Sequence, residues 1–270
     1  MVIGRVDFVA RNHTYVMGIL NVTPDSFYDG GNYTTVDKAL FRAEAMIKEG
    51  ADIIDIGGES TRPGYEEITP SEEIKRVEPV IKKIKSEFNI PISLDTYNPE
   101  TAKAGIEAGA DLINDIWGLD YDPEMGKIIK EHDVACCLMH NRREHDYEDF
   151  KTDFYNDMEA IIKRADEAGI RRDRIILDPG IGFQKTTEEN RWVIKDLANL
   201  NKYDLPVLVG ASRKSVVGNT LNLPKEERLE GTLAITALSV MAGMRFVRVH
   251  DVKENKRVIS MMEAVRNEEI

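Results

Sequence analysis

ADIIDIGG, residues 51–58, decides the fold: a nearly unbroken apolar run ends in a glycine pair, and the next residue, Glu59, is charged. A strand that is apolar at successive positions must be buried on both faces, the condition of a strand in a parallel sheet covered by helices. Seven more runs share this design: YVMGILN (15–21), PISLDT (91–96), DLINDIW (111–117), VACCLMH (134–140), RIILDPG (174–180), PVLVGAS (206–212) and FVRVHDV (246–252). Helical stretches alternate with them, at roughly 35–49, 71–88, 99–108, 123–132, 153–168, 187–202, 224–243 and 253–266. Pro99, Pro123 and Pro224 stand where helices start, and Gly50, Gly109 and Gly169 where helices give way to strands. Eight strand–helix units in 270 residues predict an α/β fold, a single closed (β/α)₈ TIM barrel spanning 1–270 as one domain. Alternation over residues 2–14, with Arg11, Asn12 and His13 as the turn, predicts a short N-terminal β-hairpin capping the barrel's N-terminal mouth.

Active sites of such barrels lie at the C-terminal ends of the strands. Those ends carry Asn21, Glu59, Asp95, Asn114, His140, Asp178, Ser212 and His250 or Asp251. The loops after the first two strands, NVTPDSFYDGG (21–31) and GGESTRPG (57–64), are richer in turn residues than a connector requires. They can fold over a ligand while presenting Asn21, Asp25, Ser26, Asp29, Ser60, Thr61 and Arg62. Arg248 and His250 lie two apart on the last strand, so their side chains share one face.

Composition narrows the partners. With 36 Lys and Arg against 48 Asp and Glu, the net charge is −12, which argues against nucleic acid or an anionic membrane as a partner. Cys136 and Cys137 are adjacent in an apolar run, a poor disulfide framework without metal-ligand spacing, and fit a cytoplasmic core. Residues 1–14 contain no apolar segment of the signal-peptide kind, and LAITALSVMAGM (233–244) is too short for the ~20 residues of a membrane span. Ser212 and Ser215 have no evident His partner, so no covalent nucleophile is expected.

The segments GILNVTPDSFYDGG, DIGGESTRPG, SLDT, INDIWG, LDPGIGF, GASRKS and RVHDV, in this order and spacing, resemble the dihydropteroate synthase family of bacterial folate biosynthesis. The first two motifs are the specific ones; SLDT and INDIWG also suit the wider family of pterin-binding barrels. The resemblance implies condensation of 6-hydroxymethyl-7,8-dihydropterin pyrophosphate with p-aminobenzoate, with release of pyrophosphate. It implies that Asp95, Asn114 and Asp178 hold the pterin, that Lys214 donates to it, and that Met139 and the guanidinium of Arg248 sandwich its ring. His250 and Asn21 fall on the pyrophosphate, with Asn21 also on Mg²⁺ and Asp29 nearby. Thr61, Arg62 and Ser215 fall on the p-aminobenzoate carboxylate, with Phe183 and Pro63 as apolar walls. Catalysis is then electrostatic and positional, through Asp95, Asp178, Lys214, Arg248 and His250, and the assembly typical of the family is a homodimer.

Two rivals differ in class. A pterin-dependent corrinoid methyltransferase has no need of a diphosphate site, and a noncatalytic pterin-binding paralogue is expected to lose Arg62, Lys214 or His250; all three are present. The chain departs from the family pattern at Tyr28, where Ser is common, at Gln184, where Gly or Ala is usual, and at Asn141 and Arg142, where another Met is frequent. His13, His132, His140 and His145 read as structural or surface residues.

Overall fold

The computed structural model describes residues 1–9, 12–23, 34–59 and 68–267. Two short antiparallel strands, β1 (Val2–Ile3) and β2 (Val6–Asp7), precede β3 (Tyr15–Asn21), β4 (Ile53–Gly57), β5 (Ile92–Asp95), β6 (Leu112–Asp115), β7 (Ala135–Met139), β8 (Ile175–Asp178), β9 (Leu208–Val209) and β10 (Phe246–Val249). The last eight are parallel and neighbour one another in chain order, with β10 returning to pair β3. A single parallel bridge, Leu177 to Val207, joins β8 to the chain entering β9 and closes the ring. Around it lie α1 (Thr35–Glu49), α2 (Pro70–Glu87), α3 (Pro99–Ala108), α4 (Glu124–His132), α5 (Phe150–Glu167), α6 (Thr187–Asp196), α7 (Ser215–Leu221), α8 (Leu229–Met241) and α9 (Val252–Arg266).

Local chemistry explains the element boundaries. Thr34 and Asp37 close a capping box on α1, and Thr186 and Glu189 do the same on α6. Asn98 and Asp149 cap α3 and α5 with their side chains. Gly50 and Gly109 end α1 and α3 in the left-handed region, at φ 101° and 118°. The aspartate two residues beyond each glycine then reaches back across the sheet. Asp52 accepts the Val16 N–H at 2.8 Å, and Asp111 accepts the Ile92 N–H at 2.9 Å. Lys256 and Lys85 pair with these same carboxylates, so the Gly-Ala-Asp signature that stops a helix also sets a strand register.

Strand alternation divides the core in two. Met17, Ile53, Leu112, Cys137, Ile176, Leu208 and Phe246 fill the barrel interior, where they meet Ile3 and Phe8 from the N-terminal segment. Neighbours such as Val16, Ile54, Cys136 and Ile175 face outward and pack beneath the helices. Both cysteines are buried and free, and burial pushes both thiols well above their ordinary range.

Four expectations about elements change. The hairpin turns at Gly4 and Arg5 rather than at 11–13, because Gly4 takes φ 59° where an added Cβ would stand 2.6 Å from Asp111 Oδ1; residues 10–11 lie outside the described residues. The helix expected over 224–243 is a 3₁₀ turn, Lys225–Glu227, followed by α8, and Pro224 precedes the turn. The helix expected over 187–202 tightens to 3₁₀ geometry at Leu197, and α5 starts at Phe150, ahead of 153. A helix not expected, α7, follows β9; Gly218 lets Arg228 lie against it, since a Cβ there would be 2.2 Å from the Arg228 Nη2.

Phe8 packs edge-on to Tyr15 at 4.7 Å and lies 5.6 Å from the Phe246 ring, closing the end of the barrel opposite the catalytic mouth. Phe8→Ala should therefore lower the unfolding free energy by about 3–4 kcal/mol, with ligand affinity at the far end unchanged. Denaturant titration checks the first part, and a loss below about 1 kcal/mol would mean the cap carries little of the core.

Candidate active site at the C-terminal mouth of the barrel

Period-two alternation brings the strand-end residues together. In register, Gly57 of β4 neighbours Asp95 of β5, which neighbours Asn114 of β6, while Met139 of β7 neighbours Asp178 of β8. Asn21 ends β3 beside Gly57, and its Oδ1 lies 3.8 Å from where a Gly57 Cβ would stand. Gly57 and Gly210 thus leave room beside Asp95 and Asp178 that larger side chains would fill.

Arg248 organises one half of this mouth. Its Nε donates to Asp55 Oδ2 at 2.6 Å and its Nη2 to Asp95 Oδ2 at 2.5 Å. Asp55, fully buried, also accepts the Ser93 hydroxyl at 2.5 Å. Burial works against the charge of Arg248, but the two carboxylates hold it protonated beyond its usual range. Asp95 is pushed up to about 7 by burial, against the pull of Arg248 and with the charge of Asp55 adding to the rise. Its Oδ1 has no hydrogen-bond partner among the described residues. A buried acceptor left open is costly unless a ligand donor meets it. Asp55 was not singled out in the sequence because it sits inside an apolar run; the available signal was its place two residues before Gly57, on the same inward face.

Asp178 and Lys214 form the other half. Asp178 accepts the Gly180 N–H at 2.7 Å, and burial raises its pKa while Lys214 opposes the rise. Lys214 donates to the Ile181 carbonyl at 2.6 Å and lies 4.6 Å from the Phe183 ring centre. Burial lowers it to about 8, with Asp178 resisting. Ser215 begins α7 beside it and is exposed.

His250 corrects an expectation: Ser212 does have a histidine partner. The Ser212 oxygen accepts the His250 backbone N–H at 3.1 Å, so its own hydrogen is free for His250 Nδ1 at 2.9 Å. That leaves the ring proton on Nε2. Burial and the nearby Arg248 charge lower His250 to about 4, so the ring is neutral. The pair fixes a tautomer, and the Ser212 hydroxyl is buried with its oxygen already accepting the His250 backbone N–H. Asp251 is turned to Arg213, which grips it through Nε at 2.8 Å and Nη2 at 2.6 Å. Of the two candidates at the end of β10, His250 is therefore the one available to a ligand. Glu59 accepts the Ile68 N–H at 2.9 Å and closes the base of its own loop.

Thr61 and Arg62, with Asp25, Ser26, Tyr28, Asp29, Ser60 and Pro63, lie outside the described residues. His140 is buried and structural as expected, though within a cluster the sequence did not reveal: its Nε2 lies 3.0 Å from Asp157. Among the described residues no group of three or more His, Cys, Asp or Glu side chains converges to hold a metal. A cation here would draw on the Asn21 amide oxygen, ligand oxygens and water, a donor set that suits Mg²⁺.

Because His140 and His250 hold folded pKa values of about 4 against 6.5 in an open chain, the unfolded chain takes up protons between pH 6.5 and 4 that the folded chain refuses. Stability present above pH 6.5 should decline as the pH falls through that window. Nitrogen NMR of the His250 ring should show the Nε2–H tautomer at pH 6; an imidazolium signal there would contradict the assignment.

The pterin binding enzyme family matches residues 17–250 of the chain. A dihydropteroate synthase of Clostridium beijerinckii is 50% identical over 266 residues, 98% of this chain and 99% of the relative. That of Bacillus subtilis is 51% identical, covering 95% and 90%. The structure of a Clostridium difficile dihydropteroate synthase, solved in the presence of pteroic acid, superposes with a TM-score of 0.91 at 44% identity, covering 95% of this chain and 98% of that one. A Xanthomonas albilineans dihydropteroate synthase with 4-aminobenzoic acid gives a TM-score of 0.92 at 37% identity, with 96% and 95% covered. This chain, by matched length and by fold, belongs to the dihydropteroate synthase family of pterin-binding enzymes.

Proposed function

We propose that the chain condenses 6-hydroxymethyl-7,8-dihydropterin pyrophosphate with p-aminobenzoate to give 7,8-dihydropteroate and pyrophosphate, with Mg²⁺ as the cofactor. The observation that supports this most is the open Oδ1 of Asp95, a buried acceptor between Gly57 and Asn114. A pterin edge presents N–H groups of the kind it lacks. Asp95, Asn114 and Asp178 accept or share those hydrogens, Lys214 donates to the ring, and Met139 and Arg248 bracket its faces. Asn21 and the Nε2–H of His250 take the pyrophosphate, and Asn21 would also hold Mg²⁺, which when bound would supply Lewis-acid neutralisation of the leaving group.

No residue need form a covalent bond. As the methylene C–O bond breaks, its electron pair leaves with pyrophosphate, and Asp95 and Asp178 stabilise the positive charge growing on the pterin. The p-aminobenzoate nitrogen, oriented by Thr61, Arg62 and Ser215 on the carboxylate and by Phe183 and Pro63 on the ring, then supplies the pair for the new C–N bond and sheds one N–H proton to the departing pyrophosphate or solvent.

The assembly we propose is a homodimer in the cytoplasm. Leu238 and Met241 of α8 and Met261 and Val265 of α9 are more than half exposed, and the two helices are neighbours, so they offer one apolar face for a second copy. No helix of the described residues is long and apolar enough to cross a membrane.

Incubation with both substrates should give dihydropteroate only when a divalent cation is present. Undiminished turnover after exhaustive chelation removes the metal from the reaction, and no product under any condition removes the activity. Asp95→Asn should lower kcat/KM by about 2–4 kcal/mol, roughly 30- to 1000-fold, by setting an amide against N–H donors. Arg62→Ala should weaken p-aminobenzoate alone; calorimetry that finds both ligands equally weakened would contradict that division.

A further inference from the structure

The loop after β8 carries Asp178 at its start and Phe183 five residues on, and an unusual lysine fastens it. Lys185 Nζ lies 2.8 Å from His140 Nδ1, 2.9 Å from the Gly180 carbonyl and 3.0 Å from the Phe183 carbonyl. An ammonium has three hydrogens for these three acceptors; a neutral amine has two and leaves one acceptor unmet. Since His140 Nδ1 accepts, its proton sits on Nε2 and points at Asp157 Oδ2, 3.0 Å away. Arg142 holds Asp157 in turn, through Nε at 2.7 Å and Nη2 at 3.2 Å. A strut of alternating donors and acceptors therefore runs from Asp157 of α5, through His140 just past β7, to the loop.

Both ends of the loop have anchors besides this strut, Gly182 by its N–H to Asn190 Oδ1 at 2.6 Å and Ile181 by Lys214, but among the described residues only Lys185 grips the Phe183 carbonyl. Gly180 has other anchors: its N–H binds Asp178, and at φ 66° it packs so closely that a Cβ would stand 1.9 Å from the His140 carbonyl. Phe183 is tied to the turn by its own N–H to the Gly180 carbonyl at 3.1 Å and by the grip of Lys185 on its carbonyl. Gln184, next in line, sits at φ 42°, a conformation that disfavours a side chain, and its Nε2 donates to the Arg143 carbonyl at 3.4 Å.

We propose that Lys185 is a positioning residue, whose ammonium, seated on His140, sets the place of the Phe183 ring and so governs the admission of p-aminobenzoate rather than cleavage of the pterin C–O bond. This rests on the reading of Phe183 as a wall of the p-aminobenzoate subsite. Asp178, Asp157 and Glu189 favour the charge on Lys185, whereas Lys214 opposes it. Burial outweighs them and lowers Lys185 to about 7, so the third donor is present below that pH and lost above it.

Steady-state kinetics of Lys185→Met test this. KM for p-aminobenzoate should rise about tenfold at pH 6.5, with kcat and KM for the pterin pyrophosphate within about threefold of wild type. Wild-type KM for p-aminobenzoate should climb above pH 7 towards the variant's value, whereas the variant should show no change through pH 7. A purely structural lysine would not produce that convergence. Equal KM rises for both substrates, or a fall in kcat at unchanged KM, overturns the proposal. If Lys185→Met does not fold, Asp157→Asn loosens the same strut, and an unchanged KM for p-aminobenzoate in that variant overturns it equally. Phe183→Ala separates the two readings: if it too leaves KM unchanged, the wall assignment fails, and if it alone raises KM, the strut fails.

Discussion

Three strands meet on one guanidinium. Arg248 reaches from β10 to Asp55 on β4 and Asp95 on β5, and the Ser93 hydroxyl completes the coordination of Asp55. Removing charged groups from water costs several kcal/mol each, so such an arrangement persists only when its members are mutually satisfied. Here satisfaction is complete for Asp55 and stops one oxygen short at Asp95. That deficit gives the mouth its appetite for a donor, while burial, reinforced by the Arg248 charge, keeps His250 from taking a proton.

The same desolvation acts with opposite sign on acids and bases around the mouth. Asp95 and Asp178 are raised, while Lys214, Lys185 and His250 are lowered. Asp95, Lys185 and Lys214 thereby come to lie at about 7 to 8, whereas His250 is driven down to about 4 and stays neutral. Charges and dipoles that are already in place need little reorganisation to meet charge on a ligand.

The barrel was legible because its signal is local. A doubly buried strand writes itself as an apolar run, and a residue at its end inherits the inward face by counting in twos. Asn21, Asp95, Asn114, Asp178, Arg248 and His250 were accessible in this way, whereas for β7 the strand end pointed to His140 and Met139 came only with the family resemblance; the structure gathers Met139 and the other six at one mouth. What was hidden depends on pairs far apart in sequence: Asp55 with Arg248, Ser212 with His250, Lys185 with His140. No periodicity encodes those meetings, which arise only when the ring closes. The short helix α7 escaped because its seven residues contain Gly218 and Asn219, weak helix formers offset by the burial of its own Val216 and Val217 and by Arg228 lying against Gly218.

The ring itself is unevenly sewn. β3 and β4 share a ladder of five residue pairs, whereas β8 meets the β9 segment at one bridge, and β9 has two residues in its pairing with β10. Backbone hydrogen bonds that are few in number open with the least free energy, so the seam between β8 and β9 is where amide hydrogens of the barrel wall should exchange first. Asp178 stands at one lip of this seam and Lys214 beyond the other, with the Lys214–Ile181 bond spanning it like a clasp. A ligand engaging both residues would fasten the barrel at its thinnest point, and slower exchange along β8 and β9 would register its arrival from within the wall.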